Sequence, residues 1–185
     1  MNKSSYKKAM ESIGEDTGED CYFYVCKMKI ADKTIIKVGK TEQEPKKRFE
    51  ELHRNFGATT LDIMVLAKSP KASSIENKFL GENKSKKLED VNSNTFNKSR
   101  ESFPYNDDMI CDLIRFLEKE KNNFNKLFKS QEIISEENKL NKFKKESNEV
   151  KKLKKTTLTS SKKYIDENKI PAKRISKQTK FYLHE

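Results

Sequence analysis

The apolar positions of this chain fall into short runs whose period changes along its length. Residues 21–29 and 34–39 are rich in β-branched and aromatic side chains and flank Ile30-Ala31-Asp32-Lys33, a pattern that predicts a β-hairpin. Thr41 to Glu44 then supply polar and acidic helix-start residues before Pro45. Phe49, Leu52 and Phe56 recur at helical spacing, so 45–56 is expected to be an amphipathic helix, closed by Gly57. Residues 60–67 (TLDIMVLA) read as a third strand. Ser69-Pro70 opens a second helix with Ile75, Phe79 and Leu80 as its buried stripe, fading into a polar loop over 83–100. Ser102-Phe103-Pro104-Tyr105 reads as a short apolar anchor, and Asp107-Asp108 begin a helix carrying Ile110, Leu113, Ile114 and Leu117. From Phe124 to Leu153 the apolar residues thin out, with spacings of three, four and seven that break repeatedly. That favours a long charged helix over a sustained coiled coil.

The order strand–strand–helix–strand–helix–loop–helix predicts a small α/β fold: a three-stranded, mainly antiparallel sheet flanked by helices, over about 21–120. Residues 1–20 are polar and turn-rich and are expected to be a flexible N-terminus. Residues 121–155 form a charged helical segment and 156–185 a basic tail. Side chains alternate faces along a strand, so Phe23 and Val25 share a face with each other, as do Ile36 and Val38. Those four make a natural core face. Tyr22, Tyr24 and Lys37 are thereby sent to the other face, with Gly39 beside them leaving backbone open. A cation near a phenol stabilises the phenolate, so a tyrosine beside Lys37 and Lys40 is a candidate general base or proton relay. An ordinary cross-strand Tyr–Lys pair on a sheet surface explains the same residues.

Composition narrows the class. Of 185 residues, 33% are hydrophobic and 37% charged, too polar a balance for the whole chain to be packed. No apolar run is long enough to span a bilayer and the polar N-terminus lacks a signal-peptide core, so no membrane partner and an intracellular setting are expected. Cys21, Cys26 and Cys111 have no framework spacing and read as reduced thiols. The net charge is +11, and residues 121–185 hold 18 Lys+Arg against 8 Asp+Glu. A basic extension on a near-neutral domain points to a polyanion, most often nucleic acid, although lysine-rich tails also simply solubilise. Among residues 156–185, a small helical DNA-reading module and a disordered polycation are both open. There is no glycine-rich phosphate loop, no Cys/His metal spacing and no serine-centred nucleophile motif.

One ordered set of residues goes further. Tyr24 in Tyr22-Phe23-Tyr24, then Lys37-Val38-Gly39-Lys40-Thr41, then Arg48 in Pro45-Lys46-Lys47-Arg48-Phe49, with His53 after it and Glu76 on the following helix, resembles the GIY-YIG endonuclease superfamily. More narrowly, it resembles the phage and viral branch named after an open reading frame of phage T5. Lysine stands where the superfamily name has its second tyrosine, as is usual in that branch. Glu101-Ser102-Phe103 is similar to a Glu-aromatic-Phe element found there. Two features depart from the superfamily: no glycine precedes the first tyrosine motif, where Tyr22 stands, and Asn92, Asn94 and Asn97 are only neighbours of the late asparagine position.

The resemblance implies phosphodiester hydrolysis. In that role Tyr24 deprotonates or orients the attacking water, Lys37 and Lys40 tune the phenol, and Arg48 forks onto phosphate oxygens. Glu76 binds one Mg²⁺ or Mn²⁺, and His53 has a supporting role. Taken singly, the residues have plainer readings: Arg48 as a helix-surface cation pairing Glu44 or Glu51, Glu76 as a solvated carboxylate, His53 as a packing residue. The expected activity is a metal-dependent DNA endonuclease whose basic C-terminal region aids binding; RNA offers the tail the same backbone charge. A double-strand break needs two active sites or two sequential nicks, so a homodimer is among the expected forms. The alternatives are a catalytically inactive DNA-binding regulator on the same scaffold and a helix-mediated protein-interaction factor.

Overall fold

The computed structural model describes residues 1–14, 21–88 and 101–167, from 152 onward as backbone alone. The chain divides into two units, Met1–Leu140 and Asn141–Glu185. Helix α1 (Lys3–Ile13) leads into the hairpin β1 (Tyr22–Ile30) and β2 (Lys33–Thr41), then α2 (Pro45–Asn55), β3 (Thr60–Lys68) and α3 (Ala72–Glu82). The short β4 (Ser102–Pro104), α4 (Asp107–Glu120), β5 (Lys126–Lys129) and α5 (Gln131–Glu167) follow.

The sheet has five strands, not the three expected, in the order β4-β2-β1-β3-β5, and every neighbouring pair is antiparallel. The apolar anchor at 102–104 is an edge strand on β2, and Lys126–Lys129 forms the other edge on β3. Three- and four-residue strands are too short to show alternation, which is why neither carries a period-two signal.

The hairpin has the expected faces. Phe23, Val25, Ile36 and Val38 lie in one core with Ile75 and Phe79 of α3, Leu113 and Phe116 of α4, and Ile133 of α5. Tyr22, Tyr24 and Cys26 lie on the opposite face with Ile35, Phe49 and Leu52. That face is not an outer surface, because α1 and α2 cover it. Tyr22 and Tyr24 are wholly buried there, with Ala9 and Ile13 of α1 in the same cluster.

Residues 3–13 are therefore part of the fold and not a flexible leader. The Asn2 side chain caps α1 by accepting from the N–H groups of Ser4 and Ser5, and it donates to Asp62 at 2.8 Å. The Ser5 hydroxyl accepts from the Ile63 N–H at 2.9 Å where a bulge interrupts the β1–β3 register after Val25. The bulge turns both Met64 and Val65 toward the α3–α4 core while Ile63 and Leu66 face α1 and α2. At the other boundary the first unit continues past 120: Ile133 is fully buried, and α5 runs unbroken across the expected junction at 155. The part of the basic tail from 168 onward, and Asn92, Asn94 and Asn97, lie outside the described residues.

Candidate active site

The hairpin register sets the site. Tyr24 pairs Gly39 across β1–β2, and Cys26 pairs Lys37. The Tyr24 ring fills the space above Gly39: a Cβ at that position would overlap the phenol hydroxyl and its ring carbon. Glycine is needed here for clearance. Phe49 of α2 packs edge-on against the Tyr24 ring, with centroids 5.4 Å apart. One residue earlier on the same helix, Arg48 donates from Nε to the Tyr24 hydroxyl at 3.1 Å. The guanidinium also faces Glu51 at 3.6 Å, and Glu51 accepts from the Gln43 side chain at 3.0 Å. Arg48 is thus aimed by one residue from the strand and one from its own helix.

Burial pushes the Tyr24 phenol well above its ordinary range, and the Arg48 charge only partly opposes that. This reverses the expectation of a phenolate stabilised by the hairpin lysines. The cation on the hydroxyl is Arg48. Lys37 is buried and turns to the Glu101 carboxylate, with its ammonium also 5.8 Å from the centre of the Phe56 ring. Burial lowers the Lys37 pKa, and Glu101 works against that shift. A buried ammonium without a partner costs several kcal/mol, so the ion pair is what permits a lysine at this position.

Lys40 does not join Tyr24. It pairs Phe23 in the register, on the face of Val38, and its ammonium is held by Glu42. Its backbone contributes instead. Strand β4 pairs β2 only from Ile35 to Lys37, and Val38 N–H donates to the Glu101 carbonyl at 3.0 Å. The Lys40 N–H, two residues on and directed to the same side, lies close enough to the Glu76 carboxylate to favour its charged form. Glu76 on α3 thus sits at the β2 edge where β4 has stopped. It is half-buried; burial raises its pKa, the nearby Glu101 charge raises it further, and Lys37 and Lys40 oppose both.

His53 is not drawn into this cluster. It lines a separate small cleft with Met1, Lys3, Glu50 and Arg54. Of the six residues singled out from the sequence, the structure brings together Tyr24, Arg48, Lys37 and Glu76, contributes Lys40 through its main chain, and leaves His53 apart. Glu101 and Glu51 complete the polar set. Glu101 was visible only as part of a short motif, and Glu51 only as an acidic residue one turn from Arg48. Among the described residues, no three His, Cys, Asp or Glu side chains are close enough together to hold a metal ion by themselves.

These features define a class: a small mixed α/β domain with an antiparallel five-stranded sheet, a tyrosine of its central hairpin paired with an arginine of the covering helix α2, and a carboxylate near the adjoining edge. The T5orf172 domain matches residues 21–118, and the chain belongs to that family. The family is associated with nuclease-like, DNA-related functions. No curated protein and no solved structure matches the chain. Among the described residues, no helix is long and apolar enough to cross a membrane.

Proposed function

We propose that this protein is a metal-dependent DNA endonuclease on a GIY-YIG-like scaffold. The observation that carries the reading is the Arg48 Nε–Tyr24 hydroxyl contact, with Glu76 placed at the open edge of the same hairpin. Phosphodiester hydrolysis needs an aligned water, charge neutralisation at phosphorus and help for the leaving oxygen. Because Arg48 donates to the Tyr24 oxygen, the phenol keeps its own proton to donate to an acceptor bound in the site. A phenol held neutral by burial orients a water or a phosphate oxygen, which is a different role from that of an ionised base. With Nε committed to Tyr24, the remaining N–H groups of Arg48 fork onto non-bridging phosphate oxygens. Lys37 adds a fixed positive charge beside them.

Glu76 is the residue that would hold Mg²⁺ or Mn²⁺, and the ion would supply charge neutralisation at the phosphate. The donor chemistry fits. One carboxylate with water and phosphate oxygens is a set that Mg²⁺ commonly accepts, and a carboxylate crowded by Glu101 gains from a cation.

The test is nicking of supercoiled plasmid by wild type and by E76Q, with Mg²⁺, with Mn²⁺ and with EDTA. The amide keeps the side-chain shape and an acceptor oxygen while removing the charge. We expect metal-dependent nicking that falls by about 10²-fold or more in E76Q, with DNA affinity retained. Binding without cleavage across several DNAs, identical in both proteins, overturns the reading. It would favour a non-catalytic DNA-binding regulator on this scaffold, which the complete burial of Tyr24 also suits.

A further inference from the structure

The nuclease reading does not account for Glu101. This residue stands just beyond the last β2–β4 pair, Lys37 opposite Ser102, and its carbonyl accepts the Val38 N–H at 3.0 Å. Its main chain is therefore tied to β2 one residue from Lys37. Its carboxylate takes the Lys37 ammonium. The two ends of that ion pair differ in setting: the Lys37 side chain is 5% exposed and that of Glu101 35%. A lysine on a flexible four-carbon stem has no fixed position for its charge unless a partner supplies one. Here the partner is anchored on the neighbouring strand, so the position of the ammonium is set by backbone pairing. The Glu101 charge also bears on Tyr24 and Glu76, and the Lys37 charge is felt with those of Arg48 and Glu76. The pair lies among the groups assigned to the chemistry.

We propose that Glu101 is the positioning residue of this site, acting through Lys37 by fixing the ammonium at the β2 edge between Glu76 and the Tyr24–Arg48 pair. The proposal deepens the nuclease reading and rests on it for its effect on rate. Glu101 itself takes no part in bond making. Its carboxylate holds a charge in place, and its carbonyl closes the strand edge beside that charge.

A double-mutant cycle separates the two contributions. E101Q keeps the carbonyl and the side-chain shape and removes only the charge. Single-turnover cleavage of a labelled duplex in Mg²⁺ is measured for wild type, E101Q, K37M and the double variant, with thermal melting of each as the check on folding. We expect E101Q and K37M each to lower kcat by about tenfold or more with KM within about twofold, and the double variant to be no slower than K37M. A purely structural role predicts additive losses that follow melting temperature, and that result overturns the proposal, as does wild-type cleavage by E101Q. Side-chain ¹H–¹⁵N spectra supply a readout independent of activity. The Lys37 ammonium, buried and paired, should give a slowly exchanging signal that E101Q abolishes. Should wild type cut no DNA, the nuclease reading falls while this signal still decides the positioning: its loss in E101Q supports the Lys37–Glu101 clamp, and its persistence overturns it.

Discussion

At the scale of single residues, the most consequential position is Gly39. It bears no chemistry, yet it gives the Tyr24 phenol its place opposite β2. In G39A the new methyl must displace the phenol, and the 3.1 Å contact with Arg48 goes with it. Overpacking of this kind costs about 1–3 kcal/mol, so G39A should melt several degrees below wild type. Plasmid nicking should fall at least as far as in a variant lacking the hydroxyl, Y24F. Wild-type melting and nicking in G39A would mean that the phenol does not have to occupy this space. With Tyr24 fixed against Phe49, Arg48 beside it on the covering helix is the residue that reaches the hydroxyl.

At the scale of elements, α5 is tied to the sheet by a polar clip on the central strand. Lys27 of β1 pairs Glu132 of α5 at 2.8 Å and lies 5.0 Å from the centre of the Tyr105 ring, whose hydroxyl also donates to Glu132. Burial alone would push Glu132 up, but the bonds from Lys27 and Tyr105 outweigh it and hold the carboxyl low. The Lys27 ammonium, against its own burial, is held up by Glu132. A depressed carboxyl stabilises the fold above its unfolded pKa, about 4.3, and that contribution fades as pH falls through the folded value. A raised ammonium contributes below its unfolded pKa, about 10.4, and fades as pH rises through the folded value. Melting temperature should therefore be level between those limits and fall on the acid side. In E132Q the acid fall should be shallower and the plateau lower. An unchanged profile would mean that the clip adds nothing to stability.

The same scale shows why some elements were legible and others not. The β1–β2 hairpin, β3, α2, α3 and α4 each present a run long enough to express a period. The turn at Gly57, with a φ of +57°, ends α2 where glycine predicts it. Helix α1 has little apolar signal of its own. Its place comes from contacts with β3, more than 50 positions away in the sequence: Ser5 with Ile63, Asn2 with Asp62. The burial of Tyr22 and Tyr24 was hidden for the same reason. Strand parity placed them correctly opposite Phe23 and Val25, but whether a face is covered depends on elements elsewhere in the chain. The site was legible as a list of residue types. The partner each one takes was not, because Lys37–Glu101 and Arg48–Tyr24 are set by register and helix docking.

At the scale of the whole molecule, charge and chemistry occupy different parts of the chain. Residues 141–185 carry 14 Lys+Arg against 5 Asp+Glu, a net of +9, which leaves +2 for residues 1–140. All the residues assigned to the site lie in the near-neutral part. Ending the chain at Leu140 should therefore remove most of the salt-dependent affinity for DNA, flattening the slope of log K against log salt. Metal-dependent nicking at low salt and high protein concentration should survive. A truncated protein whose affinity and salt slope match the full chain would place the polyanion surface on residues 1–140.

Where β4 stops, the Glu76 carboxylate lies beside the next stretch of the β2 edge, near Lys40. Exposed strand edges recruit other strands, and natural proteins block them with charge. A charge in that place is expected to guard against self-association as well as serve the chemistry proposed for it, and the two duties can be told apart. E76A uncovers this stretch of the edge and removes the charge, so light scattering should grow with concentration and time. E76Q retains an acceptor at the edge and should stay monodisperse for longer. Equal scattering from the two would show that the edge needs no guard. If they differ, selection on solubility alone would hold a carboxylate or amide at this position even in relatives that had lost the power to cut.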